Sequence, residues 1–421
     1  MTATPDDSAS ADARQRVRDQ VALIRAGTEV AADTEDDADF NYLHDPDHLL
    51  VREDLLPELR AALQRRQDVF DGEGDTVGSP IAGLSRYLLP NRRDAQGRSV
   101  VDALAVLDEE LGEGRVTPDH FLHVTVAGTC CPATEPAETG LTEPWPPRST
   151  DATAGSGIRV TVVDTGLHHP ATTKPATPWL AQVSGEAEET GQARPELLEY
   201  EGHGTFVAGV VRCRAPAAAV HVERFSVMAG GAIRESDLIV QLAQTLAEPP
   251  HLINLSAGCR SRNNLPLLSF EVLWDSLLGQ LPNTVLVAAA GNDGSSIPFW
   301  PAAFGWAVGV GSLDRNGDVS SFSNHGVSAD VFALGRNHVN AFPDGSYTCR
   351  EAPDTGDPRV FGTGLARWSG TSFAAPLVTG LIAARMYADA PDTRAARDAV
   401  LQSAKTYQDP RLGPVQVLPN P

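Results

Sequence analysis

The chain has 421 residues, 42% of them hydrophobic and 21% charged, enough to bury the core of one large domain and a smaller companion. Its 33 basic and 55 acidic side chains leave a formal charge of −22, which argues against a general nucleic-acid binder, whose phosphate contacts need clustered Lys and Arg. No apolar run reaches the ~20 residues of a membrane span, and the opening MTATPDDSAS lacks the basic start and apolar stretch of a secretory signal; the expectation is a cytoplasmic protein without nucleic-acid or membrane partners.

Residues 1–40 are polar, with Glu29, Asp33, Glu35, Asp36, Asp37 and Asp39 unrelieved by any base between them, and are expected to stay solvated and disordered. Residues 41–127 predict a small α/β domain. HLLVRE (48–53) reads as a strand, DLLPELRAALQRR (54–66) as a helix and GLSRYLLP (83–90) as a strand. SVVDALAVLDEEL (99–111) reads as a helix with Ser99 as N-cap, and HFLHVTV (120–126) as a strand. That order suggests two helices on one face of a sheet. Residues 128–144, rich in Pro and Thr, predict an extended linker. From 145 to 407 short β-branched runs (IRVTVVD, AVHVERF, HLINLSA, TVLVAAA, AVGVGSL) alternate with helical patterns. Near-continuous apolar strands belong to a mostly parallel sheet covered on both faces, hence a three-layer α/β domain. Residues 408–421 are left as a C-terminal tail. Cys130, Cys131, Cys213, Cys259 and Cys349 show no CxxC spacing, so reduced thiols are expected, with no metal site and no cofactor.

Three motifs carry chemistry. VTVVDTG puts Asp164 at the end of a buried strand, EGHGTFVAGVV puts His203 at a helix start between two glycines, and SGTSFAAPLVTG puts Ser372 at the start of an apolar helix. Alone, each has an ordinary reading as turn, structural histidine or N-cap. Together they supply a hydroxyl, a base and a carboxylate to orient the base, the set that nucleophilic acyl transfer needs.

The motifs and their order resemble the subtilisin-like serine peptidases over roughly residues 145–407. The resemblance implies a subtilisin-like fold in which Ser372 is the nucleophile, His203 the general base and acid, and Asp164 its orienting carboxylate. Asn292, in VAAAGNDG, would be the oxyanion-hole amide. Ser256, Ala257 and Gly258 (LSAGC) would pair with an extended polypeptide substrate, and Ala289, Ala290 and Gly291 would form the facing wall of the pocket for the residue before the scissile bond. The implied activity is serine endopeptidase, with maturation of one dedicated client as a narrower role, against the alternative of a catalytically silent peptide-binding protein on the same scaffold. Phe206 stands where many relatives have a second histidine. Asp293, at the pocket rim, would favour a basic substrate residue. Residues 336–368 make a long connection that could gate the cleft. The 41–127 domain is similar in element order to the family's propeptides, which implies intramolecular inhibition, with self-cleavage expected within about 127–145; the rival reading is a permanently attached domain that recruits a partner or substrate.

Overall fold

Val160, Val162, Val163, Leu252, Ile253, Leu255, Val287 and Val310 are all buried to within a few per cent, so the apolar runs do lie in a sheet covered on both sides. In the computed structural model, which describes residues 15–419 apart from 16, 20, 23, 35, 37–39, 94–98, 124–132, 189–195, 226–230, 351–353 and 387–391, these runs form the centre of a nine-stranded sheet. Its order is Lys405–Asp409, Gly413–Val417, Val331–Leu334, Val308–Leu313, Val285–Ala289, Leu252–Leu255, Arg159–Asp164, Ala219–Arg224, Ser184–Gly185. Every pairing is parallel except that of the first two strands. Alternate residues feed two cores. Val160 and Val162 pack with Phe206 and Phe373 of the helices His203–Arg214 and Thr371–Ala384 on one face, while Val163, Ile253 and Leu255 pack with Leu238 and Phe270 of the helices Glu235–Thr245 and Leu268–Ser276 on the other. The result is the expected three-layer α/β domain.

The N-terminal region folds as a second sheet. Leu43–Arg52 lies between Val116–His123 and Leu84–Leu88, and Asp75–Ile81 forms a hairpin with the last of these. One face carries the helices Leu56–Arg65 and Val100–Leu111 over Leu49, Val51, Tyr87 and Val116. The other places Leu50, Leu84 and Leu122 in the same apolar core as Leu238, Phe270 and Val272 of the large domain. The large domain also supplies a strand: Ala232–Arg234 pairs antiparallel with Phe121–His123 at the sheet's edge.

Polar contacts reinforce this junction. Asp119 accepts the Ser236 N–H (3.0 Å) and hydroxyl (2.7 Å) at the start of helix Glu235–Thr245. His120 Nδ1 donates to Glu235 Oε2 at 2.8 Å while its Nε2 accepts the Arg262 N–H at 3.2 Å, and Glu235 Oε1 accepts the Ser269 N–H at 3.1 Å. His120 and Glu235 are both buried.

Four expectations change. Within 1–40, Val21, Ile24 and Val30 pack with Leu43, Phe121 and Ala232, and Ala31–Ala32 pairs with Leu43–His44, so the described part of this segment is anchored by apolar side chains spaced among the acids. Beyond residue 132 the linker is a strap on the large domain. Ala137 pairs with Arg367, Trp145 pairs with Val339, the Trp368 indole N–H donates to the Thr134 carbonyl (2.6 Å) and Glu135 accepts from the Tyr347 hydroxyl (2.8 Å). The tail completes the large sheet through the Lys405–Asp409 and Gly413–Val417 hairpin. Ser99 precedes its helix without a side-chain capping bond. Cys213, Cys259 and Cys349 are free and buried; Cys130 and Cys131 lie outside the described residues.

Candidate active site

Asp164 ends the strand Arg159–Asp164 and His203 opens the helix His203–Arg214 beside it. The glycine between them in space is required. A methyl group on Gly204 would lie 3.1 Å from the Gly166 backbone nitrogen, closer still to its carbonyl oxygen, and 3.3 Å from Asp164 Cβ. Only glycine lets the helix approach the strand this closely. The approach brings His203 Nδ1 to 2.6 Å from Asp164 Oδ1, an oxygen that also accepts the Thr165 N–H at 2.8 Å. A proton on Nδ1 is thereby fixed by the carboxylate, leaving the Nε2 lone pair as the acceptor. Nε2 is buried and has no hydrogen-bond partner among the described residues, so no bond to the Ser372 hydroxyl is made in this resting geometry, as is common before substrate tightens such contacts.

The imidazole sits in an aromatic box. Trp368 meets it edge-on at 5.4 Å between centroids, Phe373 lies at 5.4 Å, and Phe206 packs on Phe373 at 4.6 Å. Phe206 thus serves the walls of this box. Beneath the start of the helix, Glu188 Oε1 accepts the Gly202 N–H at 2.7 Å. Burial, with the Asp164 and Glu201 charges nearby, pushes its carboxyl well above the ordinary range.

Ser372 is the second residue of the helix Thr371–Ala384, among the first N–H groups that have no intrahelical acceptor. Its neighbour Thr371 donates both its N–H (2.8 Å) and its hydroxyl (2.9 Å) to Asn292 Oδ1. With its oxygen so engaged, Asn292 is oriented to offer its NH2 as a donor near the same helix start. Pro376 lies inside this helix and has no N–H to give the carbonyl four residues earlier, which is that of Ser372. The Ser256 hydroxyl fills that place, donating to the Ser372 carbonyl at 3.0 Å. Ser256 in turn accepts from Asn254 Nδ2, and Asn254 Oδ1 accepts from the Thr379 hydroxyl, both at 3.0 Å.

Ser256–Gly258 and Ala289–Gly291 follow or end two adjacent parallel strands, Leu252–Leu255 and Val285–Ala289, so the two predicted walls stand side by side. Gly258 exchanges two backbone hydrogen bonds with His123, at 2.8 and 3.0 Å. The last described residue of the N-terminal strand therefore lies as an added strand on the expected substrate edge. Asp293 is not an open rim charge. It is buried, 3.2 Å from Asn324 Nδ2 and 3.7 Å from Arg260, and burial pushes its carboxyl up. Among the described residues no cluster of His, Cys, Asp or Glu is arranged to hold a metal.

The Peptidase_S8 family model, the subtilase family, matches residues 155–414, well over half of the chain. The chain belongs to the subtilase family. Its relatives include Subtilisin BL of Lederbergia lenta, 30% identical over 217 residues that cover 49% of this chain and 75% of that protein. An alkaline protease of Alkalihalobacillus alcalophilus is likewise 30% identical, the match covering 49% of this chain and 53% of the relative. Thermitase of Thermoactinomyces vulgaris is 28% identical, covering 54% and 80%. Against the first alkaline protease the match thus spans about half the relative's length. Among solved structures, the patellamide maturation protease PatA superposes with a TM-score of 0.48 at 25% identity over 61% of this chain and 90% of that one.

The subtilase motifs named Asp164, His203, Ser372 and Asn292; the fold bonds His203 to Asp164 and holds the Asn292 oxygen on Thr371, the residue before Ser372. They did not name Thr371 as the holder of Asn292, the pairing of Pro376 with Ser256, or Glu188. A proline five residues after a helix start was a readable clue to the second; the others depend on loops whose path the sequence does not announce.

Proposed function

We propose that this subtilase is a serine endopeptidase whose cleft is occupied by its own N-terminal domain. The observation that carries the reading is the Asp164–His203 bond, with Nε2 left open among the described residues, beside the helix Thr371–Ala384 whose second residue is Ser372. In the reaction, Ser372 Oγ attacks the scissile carbonyl as His203 Nε2 takes its proton. Asp164 stays ionised and stabilises the imidazolium. The oxyanion is held by Asn292 Nδ2–H and the Ser372 N–H, where preorganised donors contribute most because they do not reorganise during the step. The imidazolium returns the proton to the leaving amine, giving an acyl-enzyme on Ser372. A water activated by the same base then releases the acid.

The backbone pairing of His123 with Gly258 supports intramolecular inhibition: the inhibitory strand uses the edge on which a polypeptide substrate would add itself. The three free, buried thiols support residence in the reducing cytoplasm. There, a latent peptidase is suited to processing a dedicated client. Self-processing would sever the chain ahead of the strap that begins near Thr134. Part of the expected 127–145 window, residues 127–132, lies outside the described residues.

The test is fluorophosphonate labelling of the purified wild type and of Ser372→Ala, with intact mass for both. Labelling is expected of the wild type alone, in the species whose intact mass has lost the N-terminal domain. Absence of labelling in a wild type freed of its N-terminal domain would favour a peptide-binding scaffold.

A further inference from the structure

The two glycine-containing walls are separated by a slot, and the slot is filled. A methyl group on Gly258 would lie 2.9 Å from Phe299 Cδ1 and nearer still to Cε1. One on Gly291 would lie 2.9 Å from Phe299 Cγ and 3.0 Å from Cδ1. One aromatic ring thus touches the Cα faces of both glycines. Phe299 is only 5% exposed, yet among the described residues it joins none of the apolar cores, whereas its neighbour Trp300 packs into the core with Phe304. Alternate side chains of an extended segment point to opposite sides; Trp300 faces inward and Phe299 faces the slot.

The backbone holds the ring there. The Phe299 N–H donates to the buried Ser328 hydroxyl at 2.9 Å and its carbonyl accepts from Ala303 at 3.0 Å. Trp300 and Cys259 exchange two backbone bonds at 2.9 and 2.8 Å. The opposite wall is fixed by Asn324, whose Oδ1 accepts the N–H groups of Asp293 and Ser295.

We infer that Phe299 closes the slot between Ser256–Gly258 and Ala289–Gly291 and so restricts cleavage to bonds that follow a small residue, alanine or glycine. The inference rests on the peptidase reading above and names its substrate class. The small residues of both walls make room for Phe299, not for a large substrate side chain. A basic substrate residue finds no unopposed carboxylate, because Asp293 is held by Arg260 and Asn324.

The test compares kcat/KM on succinylated tetrapeptide p-nitroanilides that differ only in the residue before the scissile amide: Gly, Ala, Leu, Phe or Arg. Wild type is expected to favour Ala and Gly over the other three by ~100-fold or more. Phe299→Gly should raise the Phe-to-Ala ratio by ~100-fold. Phe299→Ala, checked by thermal melting, replaces it if the glycine variant does not fold. Cleavage after Phe, Leu or Arg as fast as after Ala in the wild type would overturn the inference, as would an unchanged ranking in a folded variant. If the wild type freed of its N-terminal domain neither labels nor cleaves, the peptidase reading fails by itself. The slot is then judged on Ser372→Ala by calorimetry with otherwise identical peptides ending in Ala or Phe. A preference of at least ~10-fold for Ala is expected; equal binding, or binding of neither, counts against a closed slot.

Discussion

Two buried histidines in this molecule have nearly the same first partner and opposite second ones. His120 donates Nδ1–H to Glu235 at 2.8 Å, and His203 donates Nδ1–H to Asp164 at 2.6 Å. His120 Nε2 is satisfied by the Arg262 N–H at 3.2 Å, whereas His203 Nε2 has no partner among the described residues. A ring saturated at both nitrogens joins three segments and does no proton transfer. A ring saturated at one nitrogen and open at the other holds a lone pair ready for a proton. A buried histidine beside a carboxylate is therefore not in itself a catalytic signature.

The largest expected effect bears on the open ring. Asp164→Asn should leave the fold intact and lower kcat by ~10⁴-fold, because the amide can hold the wrong tautomer; loss of less than tenfold on a p-nitroanilide would break the distinction. The same change at the saturated ring should act on docking. His120→Ala leaves Glu235 buried with the Ser269 N–H as its described partner, costing about 3 kcal/mol at the domain junction. Urea titration of the Ser372→Ala background should show it, while fluorophosphonate labelling of the catalytically intact His120→Ala protein should persist.

Asn292→Ala tests whether the donor set belongs with the open ring. It should reduce kcat by ~100- to 1,000-fold with little change in KM, and an effect confined to KM would move Asn292 out of the oxyanion site. A third histidine tests the docked state itself. Burial pushes the His123 ring down to about 4, below its ordinary 6.5, so the undocked state binds more protons between those values. The stability that neutral His123 preserves is full above pH 6.5 and is lost progressively as pH falls towards 4. By pH 4 this amounts to about 3 kcal/mol. Melting of the docked Ser372→Ala protein from pH 7 to 4 should fall steeply, and His123→Gln should flatten that fall; parallel curves would remove His123 as the cause.

Much of the large domain was legible in the sequence because strands buried on both faces must be largely apolar, as Leu252–Leu255, Val285–Ala289 and Val308–Leu313 are. The Asp75–Ile81 strand was not. DTVGSPI contains Gly78 and Pro80 and is largely exposed, so the edge strand carries no alternating pattern to read. Ala232–Arg234 was hidden for a different reason: three residues are too few for a period, and their partner strand lies more than a hundred residues earlier. At the site, the motifs around Asp164, His203 and Ser372 were readable because each needs a glycine next to the reactive group. Phe299 was unreadable, since only the path of its loop turns an ordinary apolar residue into an occupant of the slot.

The strand Ala232–Arg234 also sets an order of events during synthesis. Leu43–Arg52, Leu84–Leu88 and Val116–His123 can pair once His123 has left the ribosome, but one edge of that sheet stays unpaired until Arg234 emerges. At ~5–20 residues per second the wait is on the order of ten seconds. Throughout it the nascent chain displays Phe121 and Leu122 on a bare edge, to be covered only when the second half of the molecule reaches back to the first.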